Sequence, residues 1–396
     1  MKQKTSSYCV GVAVAMLAAP TFSQNLQPLN PANETVPPLP PDAPEGQVFA
    51  QIKKLEQLRV QERGPGDKER QIKKNLTLCE TVDILVARFP ESTHKDEALS
   101  IKLATLAELA RYREEYLAQL LAMNERIASS QPSPQLAAEN AYFAIEGFVL
   151  GARLEKMPED RRLAGAIERY GAFIQDYPNS ARRPIVWASL VRNLLEQKQW
   201  ERATQESEKL KEAFPENIAA HRARGEVFRA TAIGKPIDFQ FTGSGDETLR
   251  VRDYRGKTLV IHAWASWRKP ALEQFAVLQE LAETHKGDGL ELVGICIDQL
   301  AQRMESALKQ HPLPWKQFLV TKGTESPALL EIGIQGVPTY LIVDREGVLR
   351  GIDDGTNLER LVKEALGGSA KGSASTTETA KSETPAKPPD EKGDKP

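Results

Sequence analysis

The sequence predicts an α + α/β chain: a region of helical repeats followed by a layered α/β/α domain. Three observations predict it. Apolar residues recur at helical spacing from about residue 45 to 230. From about 231 to 366, continuous apolar runs alternate with helical patterns. Outside 45–366 the composition changes to a short apolar leader (1–23), a proline-rich linker (24–44) and a polar tail (367–396).

The leader pairs Lys2 and Lys4 with the apolar run Cys9 to Ala19 and the small residues Thr21 and Ser23. This is the pattern of a cleavable signal peptide, and it predicts an exported, periplasmic or extracytoplasmic protein. The run is too short for a stable membrane span, which needs about 20 apolar residues. Tyr8 stands directly before Cys9, where a lipid-anchor motif requires a small residue. Pro28 to Pro44 then holds seven prolines in seventeen residues, a composition that favours an extended, semi-rigid spacer.

In the helical region three segments end alike. Leu78, Val82, Leu85 and Phe89 precede Pro90; Ala166, Tyr170, Phe173 and Tyr177 precede Pro178; Ala203, Ser207, Leu210 and Phe214 precede Pro215. The offsets are 0, 4, 7 and 11, with proline at 12. Such spacing lines one helix face, and proline cannot continue the helix. Trp187, Leu190, Leu194, Ala203 and Pro215 fall where a tetratricopeptide repeat carries its signature residues, although Val191 and Ser207 depart from it. The proline intervals of 88 and 37 residues leave room for a further unit, for which Leu99 to Leu121 supplies helices. One such unit cannot bury its apolar face alone, so the repeats are expected to stack into one core.

In the α/β part, strands are expected at Thr258–Ala265, Leu290–Ile297, Tyr340–Asp344 and Val348–Ile352. Helices are expected at Pro270–His285, Leu300–Gln310, Pro327–Ile332 and Asn357–Leu366. Runs this apolar suit strands buried on both faces, with helices covering the sheet. Beyond Gly367 the chain lacks large apolar residues and is expected to be disordered. The formal net charge of −2 gives no reason to expect a nucleic-acid partner. The five histidines have no metal-ligand spacing, so neither metal nor other cofactor is expected.

Three motifs carry a resemblance. Ile233-Gly234-Lys235-Pro236-Ile237-Asp238-Phe239 with Asp253-Tyr254-Arg255-Gly256-Lys257, then Trp264 to Ala271 at a strand–helix junction, then Gly336-Val337-Pro338-Thr339 resemble the extracytoplasmic TlpA/ResA-type thioredoxin domains, over about Ala232 to Leu366. The resemblance implies a cis Pro338 beside the helix start and a Cys-x-x-Cys motif at that start, where the helix N-terminus lowers a thiol pKa. Here Arg268 and Ala271 occupy the two cysteine places, and Gln274 the place of an assisting glutamate. No other side chain replaces a thiol in disulfide exchange.

The catalytic positions are therefore degenerate, and the expected activity is binding. Trp267, Arg268, Lys269, Val337, Pro338 and Thr339 are the expected contact residues, while Trp264 is expected to pack in the core rather than flank the same surface. The partners are proteins or extended peptides in the cis-proline groove and on the helical repeats, with a carboxylate or phosphate near Arg268 as a narrower expectation. The competing reading is an active thiol–disulfide oxidoreductase using Cys296 or Cys79. A peroxiredoxin is disfavoured by the same loss at Arg268.

Overall fold

The computed structural model describes residues 38–58, 66–245 and 247–367. The expected leader, most of the linker and almost all of the tail lie outside these residues. Among the described residues nine helices come first: α1 (Glu45–Gln57), α2 (Asp67–Arg88), α3 (Lys95–Tyr112), α4 (Glu115–Ala128), α5 (Pro134–Leu154), α6 (Glu159–Asp176), α7 (Arg183–Glu196), α8 (Trp200–Ala213) and α9 (Ile218–Thr231). Successive helices pack on one another along the chain. Among the described residues no helix is long and apolar enough to cross a membrane.

The three proline-terminated segments are the ends of α2, α6 and α8. Their aliphatic members, Tyr170 and Phe173 are buried, the terminal aromatics Phe89, Tyr177 and Phe214 are half-buried, and Ser207 joins the buried set by donating its hydroxyl to Thr204 O at 2.8 Å. The aromatic does not complete the last turn; it sits just past it. Phe89, Tyr177 and Phe214 share one backbone conformation, with φ between −122° and −136° and ψ between 61° and 65°. The reason is local: a residue before proline is pushed out of the helical region. Each aromatic then accepts a turn bond through its carbonyl, from Ser92, Ser180 and Asn217 respectively. Between the first two copies lie α3, α4 and α5, with α3 and α4 in the span expected to supply helices.

The second part contains β1 (Gln240–Thr242), β2 (Thr248–Arg250), β3 (Thr258–Trp264), α10 (Lys269–Thr284), β4 (Leu290–Cys296), α11 (Ala301–Gln310), β5 (Lys316–Leu319), α12 (Pro327–Glu331), β6 (Thr339–Val343), β7 (Leu349–Asp353) and α13 (Leu358–Gly367). Five strands form one sheet in the order β5-β4-β3-β6-β7. β3, β4 and β5 are parallel, and β6 and β7 run antiparallel to their neighbours. The expected strands and helices are all present within one or two residues at each end. Three strands were not foreseen. β5 reads as polar sequence because it is a partly exposed edge, and β1 and β2 are only three residues each.

Alternation along β3 decides the layers. Val260, His262 and Trp264 face α10, α11 and α13, while Leu259, Ile261 and Ala263 face the opposite way. That second face is closed by α12 and the β1–β2 hairpin rather than by long helices, with Phe228 of α9 packed at its edge. The helical region thus contributes to the core of the sheet domain.

α9 lies directly on α12. A Cβ added at Gly225 would fall inside the Leu330 carbonyl oxygen, so only glycine permits this approach. Around it, Glu331 takes His221 Nδ1 at 2.6 Å, Arg224 Nη1 at 3.3 Å and Lys211 Nζ at 3.4 Å. Burial pushes the Glu331 carboxyl up, but the His221 hydrogen bond and the charges of Arg224 and Lys211 outweigh it and hold the pKa below the ordinary value. Arg229 donates to Gly333 O, and Gln335 to Arg222 O. This junction therefore reaches within three residues of Pro338.

Candidate functional site

The parallel strands β3 and β4 end together, Trp264 opposite Cys296, and β6 begins at the same edge, Thr339 opposite Ala263. Ligands of open α/β sheets bind at this carboxyl edge. The peptide bond between Val337 and Pro338 is cis, as the resemblance implied. Register alone therefore brings the Trp264–Ala271 segment and the Gly336–Thr339 loop side by side.

The turn from β3 into α10 is held from below. Asp298, fully buried just after β4, accepts the Ser266 amide on both carboxylate oxygens at 3.1 and 3.3 Å. Cys296 Sγ donates to the same carboxylate at 3.3 Å. Arg268 is the residue before α10; its amide donates to Ala265 O and its carbonyl accepts from Ala271 N. Pro270 stands in the first turn of α10, where its missing N–H is not needed.

The sequence-chosen residues divide into exposed and buried sets. Trp267 is 59% exposed, and Arg268 and Lys269 are exposed beside it. Lys269 pairs with Glu273 at 3.5 Å on the surface. Val337 and Pro338 are half-buried, with Val337 packed partly on the core. Thr339 is buried and donates its hydroxyl to Gly336 O at 2.7 Å, so it offers no side chain to a partner. Trp264 is a core residue, as expected. It is fully buried beneath α10, its indole N–H donating to Gln317 Oε1 at 3.0 Å and its ring meeting Phe275 edge-on. The alternation of β3 turns it inward.

Ala271 is fully buried and shares a small cluster with Trp264, Phe275 and Cys296. Gln274 is half-buried and meets the loop at Gly355. Among the described residues the thiols lie in separate cores, Cys79 among α2 to α5 and Cys296 under α10, and both are free and buried. Burial pushes the Cys79 thiol up to about 12 and raises the Cys296 thiol as well, with the Asp298 charge adding to the latter. A thiol reacts as thiolate. Native protein treated with a maleimide at pH 8 is therefore expected to leave Cys79 and Cys296 unmodified by peptide mass spectrometry, and unfolded protein to be labelled at both. Rapid native labelling of Cys296 would contradict this burial.

Two buried polar features escaped sequence reasoning. Asp298 was legible only as a carboxylate closing an apolar strand. His262 stacks on Tyr340 at 4.8 Å between ring centroids, and neither its ring nitrogens nor the tyrosine hydroxyl has a hydrogen-bond partner. Burial lowers the His262 pKa to about 3, so the ring is neutral.

The comparisons with known proteins agree on this domain. A family model described as thioredoxin-like matches residues 256–349. The chain is 24% identical over 138 residues to the thiol-disulfide oxidoreductase ResA of Geobacillus thermodenitrificans, covering 35% of this chain and 78% of that one. It is 25% identical over 116 residues to ResA of Bacillus thuringiensis, covering 29% of this chain and 65% of the relative. Among solved structures, the putative thiol:disulfide interchange protein DsbE of Chlorobium tepidum is 24% identical, with 34% of this chain and 98% of that chain covered and a TM-score of 0.31. The carboxy-terminal third of this chain is a thioredoxin-like domain, similar to ResA, set behind a helical region.

Proposed function

We propose that this protein is an exported binding protein in which the thioredoxin-like domain holds protein partners and does not exchange disulfides. The observation that carries the reading is the loss of sulfur at the strand–helix junction. Arg268 and Ala271 stand at the two cysteine places implied by the resemblance. The surrounding geometry persists, with the cis-proline loop in register beside the turn. The relatives' name, thiol-disulfide oxidoreductase, describes chemistry that needs an accessible thiolate. Cys79 and Cys296 are both buried with raised pKa values, which speaks against either one substituting. The leader sequence supports export, and the three recurring helix ends support a repeat surface as a second binding face.

Two measurements test the reading. The purified chain is expected to give no acceleration of insulin reduction by dithiothreitol over the blank; turnover that depends on Cys296 would sink the redox-inactive assignment. Immobilised full chain is expected to retain envelope proteins that the Trp267→Ala variant releases. Retention of none, or retention indifferent to Trp267, would remove the proposed contact surface.

A further inference from the structure

Beside the redox-type turn, on the side away from Pro338, lies a cleft of about 480 Å³ between α10 and α11. Trp267 and Leu272 form one wall; Gln302, Arg303, Ser306 and Gln310 line the other. The first wall is apolar, with the Trp267 ring more than half exposed. The second presents amides, a hydroxyl and a guanidinium along one helix. Within the described residues none of these four polar side chains, nor the Trp267 indole N–H, has a hydrogen-bond or ion-pair partner. Among the described residues no carboxylate lines the cleft, while Arg303 stands in it, and the exposed Arg268 and the Glu273-paired Lys269 follow Trp267 in the chain.

We propose that this cleft is the peptide-docking site of the domain, and that its occupant is an extended acidic segment of a partner protein. The inference rests on the binding reading above and names its partner class. The fit follows from the two walls. An apolar side chain of the segment covers Trp267 and Leu272, where a large aromatic removes much apolar area from water. The amides of Gln302 and Gln310 and the Ser306 hydroxyl can each donate and accept, as an extended backbone requires. The carboxylate of the next residue, which points to the opposite side of an extended chain, faces Arg303 in the fork geometry that guanidinium favours. Arg268 and Lys269 add long-range attraction that salt screens.

The test uses the full chain and fluorescence anisotropy of blocked, labelled peptides alternating leucine with aspartate, lysine or serine. The leucine–aspartate peptide is expected to bind most tightly and to weaken as salt rises. Arg303→Glu is expected to reduce its affinity roughly tenfold, as charge reversal at a partly exposed pair allows, with Trp267→Ala reducing it comparably. Both positions are exposed, so circular dichroism should show folded variants. Equal or tighter binding of the lysine peptide overturns the proposal, as does an affinity indifferent to Arg303→Glu. If acidic binding persists in Arg303→Glu but is lost in Val337→Asp, the cleft is wrong while the binding reading survives at the cis-proline loop. Failure of all three peptides removes the cleft assignment, and retention of envelope proteins then judges the wider reading separately.

Discussion

The His262→Leu variant is expected to lose much less stability on acidification than the wild-type chain. His262 is fully buried in β3, stacked on Tyr340 and edge-on to Phe275, with both ring nitrogens unpartnered. Its folded pKa of about 3 lies below the ordinary value of 6.5, and burial is the cause. Between these values the unfolded chain binds a proton that the folded chain does not. Stability therefore rises with pH across this window, and is lost as pH falls from 6.5 toward 3. The slope from one group is about 1.4 kcal/mol per pH unit, so the full window is worth about 5 kcal/mol. The Tyr340 phenol beside it is pushed up by burial and does not titrate here.

Urea unfolding at pH 7.5 and pH 4.5, followed by tryptophan fluorescence, measures the effect. Other carboxylates also contribute, so the readout is the difference between wild type and variant. At pH 7.5 leucine is expected to be near neutral, because it removes two unsatisfied buried nitrogens. Parallel pH curves for the two proteins would show that His262 is hydrogen-bonded or hydrated in solution.

The second large effect is expected at Gly225. A glycine inside a helix normally weakens it, and Gly→Ala at an unobstructed helical site gains roughly 0.5–1 kcal/mol. Gly171 in α6 is such a site, with nothing within 4 Å of an added Cβ. Gly225 is not, because its Cβ would collide with the Leu330 backbone, which cannot swing aside as a side chain can. Gly225→Ala is therefore expected to destabilise by about 2–3 kcal/mol, the range of core overpacking, while Gly171→Ala stabilises.

Separation of α9 from α12 would also expose Glu331 and its partners His221, Arg224 and Lys211 to water. Limited proteolysis should then cut Gly225→Ala between α9 and β1 faster than the wild type. Equal stability of the Gly171 and Gly225 alanine variants would mean that the two regions are not packed as described.

The site was legible in part. The cis Pro338 was implied by the resemblance that the strand–turn–helix junction and the Gly-Val-Pro-Thr loop carry, and Trp267 was expected as a contact residue beside it. Trp264 was legible as a core residue, but the layer it faces was not, because an apolar run gives no indication of which alternate residues face which layer until the covering helices are placed. The acceptor role of Asp298 needed the register of β4 against β3, since its partner Ser266 is 32 residues away. The α10–α11 cleft needed the same placement, because its two walls come from separate strand–helix units.

The sequence by itself determined the helical and α/β regions, the stop of α2, α6 and α8 at proline, and the absence of sulfur where the resemblance implies it. These are properties of backbone stereochemistry, apolar periodicity and residue identity, each fixed within a few neighbouring positions. Only the tertiary structure decided that α9 closes on α12 through Gly225, that His262 lies neutral against Tyr340, and that Arg303 faces Trp267. Such facts depend on which distant surfaces meet, and burial of one surface by another is set by the packing of the whole chain.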